Sequence, residues 1–370
     1  VNFDLSEDEE MLKALAERFV TDSYDIEKRR LFLAEPQGFS ALNWTLLGEL
    51  GLIAAPFDDA AGGLSLDATG IATIFEALGR GLVVEPLIEN VLLAGRLFAA
   101  TAQGALRDEW LPLLLTGERR IALAHAETGA RGGHLWVETQ AEAAGTSVRL
   151  RGEKAYVPAG VGADGYIVSA RSGGSAESTD GLGLYFVAAD APGLSARSWR
   201  TADGSAAVSL TLDGVEAVQT LDGGAAEIAA IALLADLARS AEALGIMERI
   251  FGETLDYLRT RQQFGHALAS FQAIQHRMVT QYAAIEQSRG LLNLALVSDG
   301  SDGFANAVRG LRAFISPASI ELGHEMIQFH GGMGVTDELS IGHGHKRLLV
   351  LSRWPDDPDT ALDRFAGIGG

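Results

Sequence analysis

The stretch VETQAEAAGTSVRLRGEKAYVP, residues 137–158, alternates apolar and polar side chains around a glycine. Successive side chains of a strand point to opposite faces, so a period of two reads as β structure. The runs GYIVSARS (165–172), LGLYFVAA (182–189) and AAVSLTLDGVEA (206–217) are further short alternating or β-branched runs between glycine-rich turns. Residues 120–222 are therefore expected to form an antiparallel β-domain of seven or eight strands. Within it SGGSAESTDG (172–181) is of low complexity and reads as a flexible hairpin loop.

The period changes on both sides of this segment. Upstream, SEDEEMLKALAERFV opens with a capping-box pair, Ser6 and Glu9, and Leu87 to Phe98 recur at helix spacing. Downstream, Phe271, Ile274, Met278, Tyr282, Ile285 and Leu292 follow the three-and-four spacing of a buried helix stripe. Runs 224–260, 267–298 and 303–328 have few breakers, and no strand signal returns after Gly224. The expected class is α+β: an N-terminal helical domain (1–119), the middle β-domain (120–222) and a C-terminal four-helix bundle (223–370).

Composition narrows the function. The 370 residues carry a net charge of −20, which argues against nucleic acid or an anionic membrane as partner. The chain has no cysteine, so disulfides, thiolate catalysis and zinc–cysteine sites are excluded. The acidic, amphipathic N-terminus does not read as a signal peptide, and no stretch reaches the ~18 apolar residues of a membrane span, so a cytoplasmic protein is expected.

Two stretches carry candidate binding chemistry. RTRQQFGHALASFQ (259–272) lies where one long helix stops and another begins, and an arginine with amides at a helix terminus suits a pyrophosphate. QFHGGMG (328–334) ends a helix in glycines that let the backbone approach another molecule closely. His343 and His345, two apart on a helix, point in different directions and with His330 make a poor metal site, so no metal is expected. There is no nucleophile elbow, Walker loop or strand-to-helix GxGxxG.

Taken together, the α-β-α order, RTRQQFGHALASFQ and QFHGGMGVTDE resemble the acyl-CoA dehydrogenase family, flavoenzymes that use FAD to desaturate acyl-CoA thioesters between the α and β carbons. LGELGLIAAPFDDAAGGL (47–64), ALAHAETGARGG (122–133) and GEKAYVPAGVGADGYIVSAR (152–171) fall in the family's order, so the resemblance covers nearly the whole chain. It implies that Arg261, Gln263, Phe264, Gln272, Gln328, Gly331 and Gly332 embrace the ADP half of FAD bound mainly by a neighbouring subunit. It also implies an acyl-CoA substrate and an electron-transfer flavoprotein as acceptor.

The rest of the family's site is altered. Where the family has a Thr before its Glu-Pro and a Ser further on, this sequence has Ala126 and Gly132. Where it has Trp-Ile-Thr beside the flavin, Tyr156, Val157 and Pro158 stand, and proline has neither hydroxyl nor N–H to offer. The family's catalytic Glu falls on Pro355 or Ala235 in the two registers available, so no catalytic residue is assigned. Asp236, Asp356 and Asp357 are the neighbouring carboxylates.

The ending KRLLVLSRWPDDPDTALDRF resembles the smaller subunit of two-subunit acyl-CoA dehydrogenases of the pimeloyl-CoA and steroid side-chain types. The leading expectation is a subunit of an α2β2 heterotetramer whose paralogous partner carries the glutamate. Two others stand beside it: a self-sufficient homo-oligomer using Asp236 or Asp356 as base, and a non-catalytic scaffold.

Overall fold

A computed structural model describes residues 5–130, 136–145 and 147–368. They fold as two compact units, one of residues Val1–Leu31, Asp67–Val83 and Asp236–Gly370, the other of Phe32–Leu66 and Val84–Ala235.

The first unit is helical. Helix α1 (Glu7–Ser23) starts at the expected capping box, with Ser6 N–H donating to Glu9 at 2.7 Å and Glu9 N–H to Ser6 Oγ at 3.3 Å. It buries Leu12, Ala16 and Phe19, one stripe at four-and-three spacing. After α2 (Ile26–Ala34) and α3 (Ala41–Glu49), helix α4 (Ala68–Gly81) returns to this unit. It meets α7 (Ala225–Thr260) backbone to backbone: a Cβ at Gly79 would strike the Glu242 carbonyl, and one at Gly245 the Glu76 carbonyl.

Helices α8 (Gln272–Val297), α9 (Phe304–His330), α10 (Ser340–Arg353) and α11 (Pro358–Ala366) complete the bundle. The buried stripe of α8 is Met278, Gln281, Ile285, Ser288, Leu292 and Ala295. Tyr282, expected in that stripe, is 52% exposed, because the three-then-four spacing from Met278 passes through Gln281. A second departure is a two-stranded hairpin, β9 (Gln262–Gln263) with β10 (His266–Ala267), after Gly224, where no strand was expected. Two-residue strands are too short to leave a periodic signal.

The second unit holds α3, a π-helix (Leu87–Gly95), α5 (Arg96–Thr101), α6 (Gly104–Leu115) and eight strands. The strands are β1 (Ile121–Ala124), β2 (Gln140–Ala144), β3 (Ser147–Pro158), β4 (Gly165–Arg171), β5 (Leu182–Ala188), β6 (Leu194–Arg200), β7 (Ala206–Glu216) and β8 (Gln219–Leu221). The path is β6-β7-β3-β2-β4-β5-β8. Neighbours along it are antiparallel except at β2 and β4, and β1 also pairs in parallel with β4, so the sheet is mixed. The 172–181 loop, expected to be flexible, wraps a buried guanidinium: Arg171 donates to the carbonyls of Ala176, Ser178 and Asp180 at 2.6–3.1 Å, and to that of Val137 at 2.7 Å.

One buried ion pair anchors the sheet's interior. Lys154 on β3 is fully buried and donates to Glu127 at 2.6 Å. Glu127 also accepts from Thr139 Oγ1 at 2.6 Å and from the amides of Glu138 and Thr139 at 2.5 and 3.1 Å. Burial pushes Lys154 down to about 8 even against the pull of Glu127. Burial also works to raise the Glu127 carboxyl, but Lys154 and the surrounding donors outweigh it and hold it below its ordinary range. Replacing Glu127 by Gln removes the counter-charge of a buried ammonium and leaves it only neutral acceptors such as the Ser169 hydroxyl at 3.1 Å and the His125 carbonyl at 3.3 Å. Glu127→Gln is expected to cost about 3–5 kcal/mol in urea unfolding, and a loss below about 1 kcal/mol would show that the pair is not what holds this face.

Candidate functional site

At one end of the bundle two helix termini are held together. Tyr257, in the last turns of α7, stacks on His330, the last residue of α9, with ring centroids 4.4 Å apart and planes 22° from parallel. His330 is fixed in turn by Nδ1 against the Met326 carbonyl at 2.9 Å. Beyond these rings α7 runs into Arg261 and the β9–β10 hairpin, and α9 runs into a 3₁₀ turn, Gly331–Val335. The two stretches singled out in the sequence therefore emerge side by side. Tyr257 was not singled out, since nothing in the sequence tells a stacking tyrosine from a core one.

The groups exposed there are little used among the described residues, the edge-to-face contact of Phe264 with Phe271 at 6.4 Å aside. Arg261, Gln263, Phe264, Gln272, Gln328, Gly331 and Gly332 are all exposed. The side chains of Arg261, Gln263, Gln272 and Gln328 make no hydrogen bond or ion pair among the described residues. Gly331 has φ +59° and, like Gly332, open space where a Cβ would stand, so backbone is presented without cover. Phe264 is 88% exposed with φ +55°, and Gly265 follows at +78°. Two positive φ values make the tight hairpin turn for which Asn-Gly is the favoured sequence. A bulky aromatic held there in left-handed backbone, open to solvent, is a local cost that intrachain packing does not repay.

The positions that would hold a catalytic carboxylate look different. Ala235 is fully buried, and its neighbour Asp236 pairs with Arg239 at 3.1 Å. Pro355 follows Trp354, whose carbonyl accepts from the buried Arg312 at 2.9 Å; Arg312 also donates to the Leu351 carbonyl. Asp356 is buried against Arg364 of α11, with its carboxyl pushed up to about 6 by burial against the pull of that arginine. Asp357 caps α11, accepting from the amides of Asp359 and Thr360 and from the Thr360 hydroxyl, which hold its carboxyl below the usual range. Asp356 and Asp357 are thus engaged at α11, and Asp236 in a pair within α7.

In the sheet unit, Ala126 and Tyr156 form an isolated bridge, with Ala155 N–H donating to the Ala126 carbonyl at 2.8 Å. The bridge lies where the β3–β7 register shifts between Lys154 and Val157. Pro158 pairs with Ala207 at the end of that ladder, and Tyr156 packs on Trp199 with centroids 5.3 Å apart. Gly132 lies outside the described residues.

Family models match at both ends of the chain: "Acyl-CoA dehydrogenase, N-terminal domain" over residues 6–118 and "Acyl-CoA dehydrogenase, C-terminal domain" over residues 235–354, together more than half of it. The chain belongs to the acyl-CoA dehydrogenase family. Among curated relatives, acyl-CoA dehydrogenase FadE27 of Mycobacterium tuberculosis is 26% identical over 86% of this chain and 84% of its own. Among solved structures, a variant of the steroid ACAD Tcur3481–Tcur3483 is 29% identical with a TM-score of 0.87, covering 98% of this chain and 97% of that one. The ChsE4–ChsE5 complex of Mycobacterium tuberculosis, 24% identical, shares the fold at a TM-score of 0.89 over 99% of this chain and 98% of that one.

Acyl-CoA dehydrogenases are FAD-dependent oxidoreductases. The bundle end fits the ADP half of that cofactor: an unpaired arginine and three unpaired amides for its polar groups, and a glycine backbone open to close approach. The sheet unit offers less for the ring half, since neither Ala126 nor Pro158 has a polar side chain to donate. Among the described residues no group of three or more His, Asp or Glu side chains suits a metal, and no helix is long and apolar enough to cross a membrane.

His343 and His345 are packed into the helical unit. His343 is buried, with Nδ1 2.6 Å from Arg29 and Nε2 3.1 Å from the Asp337 carbonyl. His345 is 7% exposed and lies 4.6 Å from the His324 ring, and its Nδ1 has no hydrogen-bond partner, which sequence reasoning did not foresee. Burial first, and His324 second, push it down to about 4. The fold therefore favours neutral His345, and stability is full above about pH 6.5, where the unfolded chain's histidine is also neutral. It falls as pH drops from about 6.5 towards 4, by up to ~3 kcal/mol, because the unfolded chain takes up a proton that the folded one refuses. Urea titrations across that range should show the slope in the wild type and a flatter one in His345→Gln; equal slopes would assign the acid sensitivity elsewhere.

The strained turn gives a second test. Asn tolerates left-handed backbone where Phe does not, so Phe264→Asn should stabilise the isolated chain by ~1 kcal/mol in chemical denaturation. A loss of stability would mean that Phe264 is held by contacts within its own chain.

Proposed function

We propose that this chain is the base-lacking subunit of an FAD-dependent acyl-CoA dehydrogenase, working in an α2β2 heterotetramer with a paralogue that carries the catalytic glutamate. The observation that carries the reading is an asymmetry. At the bundle end, Arg261, Gln263, Gln272 and Gln328 stand unpaired beside open glycines, while the positions for a base are Ala235 and Pro355 and every neighbouring aspartate is already paired or capping. Exposed donors without a partner among the described residues are free to exchange water for the acceptors of a ligand. The likeness to a steroid ACAD named for two chains, and the fold shared with the ChsE4–ChsE5 complex, support a paired assembly.

When bound, FAD supplies the two-electron acceptor for α,β-desaturation of an acyl-CoA. This chain's part is to bind and orient. The Arg261 fork is matched to a pyrophosphate, where planar paired donors give both charge and direction. Gln263, Gln272 and Gln328 offer amides to the cofactor's polar edge, and the backbone of Gly331 and Gly332 admits close contact. Phe264, exposed beside them, would cover a bound cofactor and keep water from the charged groups, which would strengthen their interactions. The partner supplies the carboxylate that takes the α proton, and an electron-transfer flavoprotein reoxidises the complex.

The test compares the chain alone with the chain co-expressed with its base-bearing paralogue. FAD should be retained at stoichiometric level only in the complex, and Arg261→Ala should weaken its binding there by roughly 10- to 100-fold, the worth of a charge-assisted hydrogen-bond pair. If the chain alone holds stoichiometric FAD and bleaches it with an acyl-CoA, it is a self-sufficient dehydrogenase. If Arg261→Ala leaves cofactor and rate unchanged in the complex, the chain is a scaffold.

A further inference from the structure

The helical unit contains a cavity of about 380 Å³ between α1, α4 and α8, within the size range of small-molecule sites. Its lining on α8 begins at Arg289, seventeen residues along the helix from Gln272 and so roughly 25 Å from the flavin-facing end. Nothing in the dehydrogenase reading uses it.

Three kinds of side chain line the cavity. Leu5, Ala72, Leu292 and Leu296 form an apolar wall. Glu76, Arg80 and Arg289 belong to a closed ionic ring: Arg289 grips Glu76 at 2.5 and 3.1 Å, Arg80 also binds Glu76 and reaches Glu248 at 3.0 and 3.1 Å, and Glu248 returns to Arg289. The third kind is Lys13, Thr69, Thr73 and Asn293. None of these four has a side-chain hydrogen bond or ion pair among the described residues. Four unengaged polar groups from three helices, converging on one half-apolar cavity, are the arrangement of a binding site.

Charge selects the ligand class. Lys13, Arg80 and Arg289 against Glu76 and Glu248 leave one net positive charge, and both arginines are saturated by the glutamates. A phosphate dianion asks for more than one free cation and would lie beside two carboxylates. A monoanion balances the set. The leucines ask for an aliphatic body, and the threonines and amide for an acceptor that can take several hydrogen bonds at once.

We propose that this cavity binds an amphiphilic monocarboxylate, its carboxylate at Lys13 and the Thr69, Thr73 and Asn293 groups, its aliphatic body on the leucine wall. The site stands apart from the flavin half-site, so its success or failure says nothing of the dehydrogenase reading.

Calorimetric titration of the purified protein with octanoate, octanol and inorganic phosphate tests it. Octanoate should bind saturably at one per chain, with octanol and phosphate each about tenfold weaker or more. Lys13→Gln should weaken octanoate about tenfold, and Thr73→Val, an isosteric change, should weaken it in the same direction. Neither side chain has a partner among the described residues, so the variants are expected to unfold at the wild-type urea midpoint. Absence of saturable octanoate binding up to millimolar concentration, unchanged affinity in Lys13→Gln, or phosphate binding more tightly than octanoate would overturn the assignment.

Discussion

The helical unit is assembled around one close approach of two backbones. Gly79 on α4 faces the Glu242 carbonyl of α7, and Gly245 on α7 faces the Glu76 carbonyl of α4. Two glycines, each opposite the other helix's main chain, let segments far apart in sequence meet without side chains between them. The rest follows from that proximity. Glu76 and Glu248 come within reach of Arg80 and Arg289, and α8 is pinned to the crossing through Arg289. With α7 fixed, its far end presents Tyr257 to His330, and the two candidate cofactor loops leave the bundle together.

Much of this was legible because it rests on periodicity. The Ser6–Glu9 box, the long helices and part of strand 206–216 announced themselves by spacing, while the strands at 165–171 and 182–188, buried almost throughout, showed as short apolar runs between glycine-rich turns. Elements set by partners rather than by pattern did not. Strand β6 is exposed along almost its whole length and shows no alternation, so nothing in its residues distinguishes it from loop. The π-helix at Leu87–Gly95 reads as an ordinary helix, since eight of its nine residues are buried and the apolar signal has no face. Tyr282 was placed in the core by a spacing that tolerates either neighbour, and the structure gives the place to Gln281.

The candidate site was legible in a different way. Its loops could be recognised as interruptions, an arginine-rich turn and a glycine pair, because interruptions are visible without knowing what surrounds them. The roles of Asp236, Asp356 and Asp357 were not visible. Whether a carboxylate is a base, a cap or half of a buried pair depends on partners such as Arg239 and Arg364, and those come from the fold. The same holds for His345, whose orphaned Nδ1 is a consequence of α9 lying against α10.

The loop around Arg171 is held through its main chain. Its guanidinium is satisfied by main-chain carbonyls at Val137, Ala176, Ser178 and Asp180, which every residue type supplies equally. Side-chain identity matters at Gly174 and Gly181, whose positive φ and lack of room for a Cβ favour glycine. A segment can look compositionally idle to a sequence reader and still be fixed in place, since the side chain that holds it belongs to the strand it leaves.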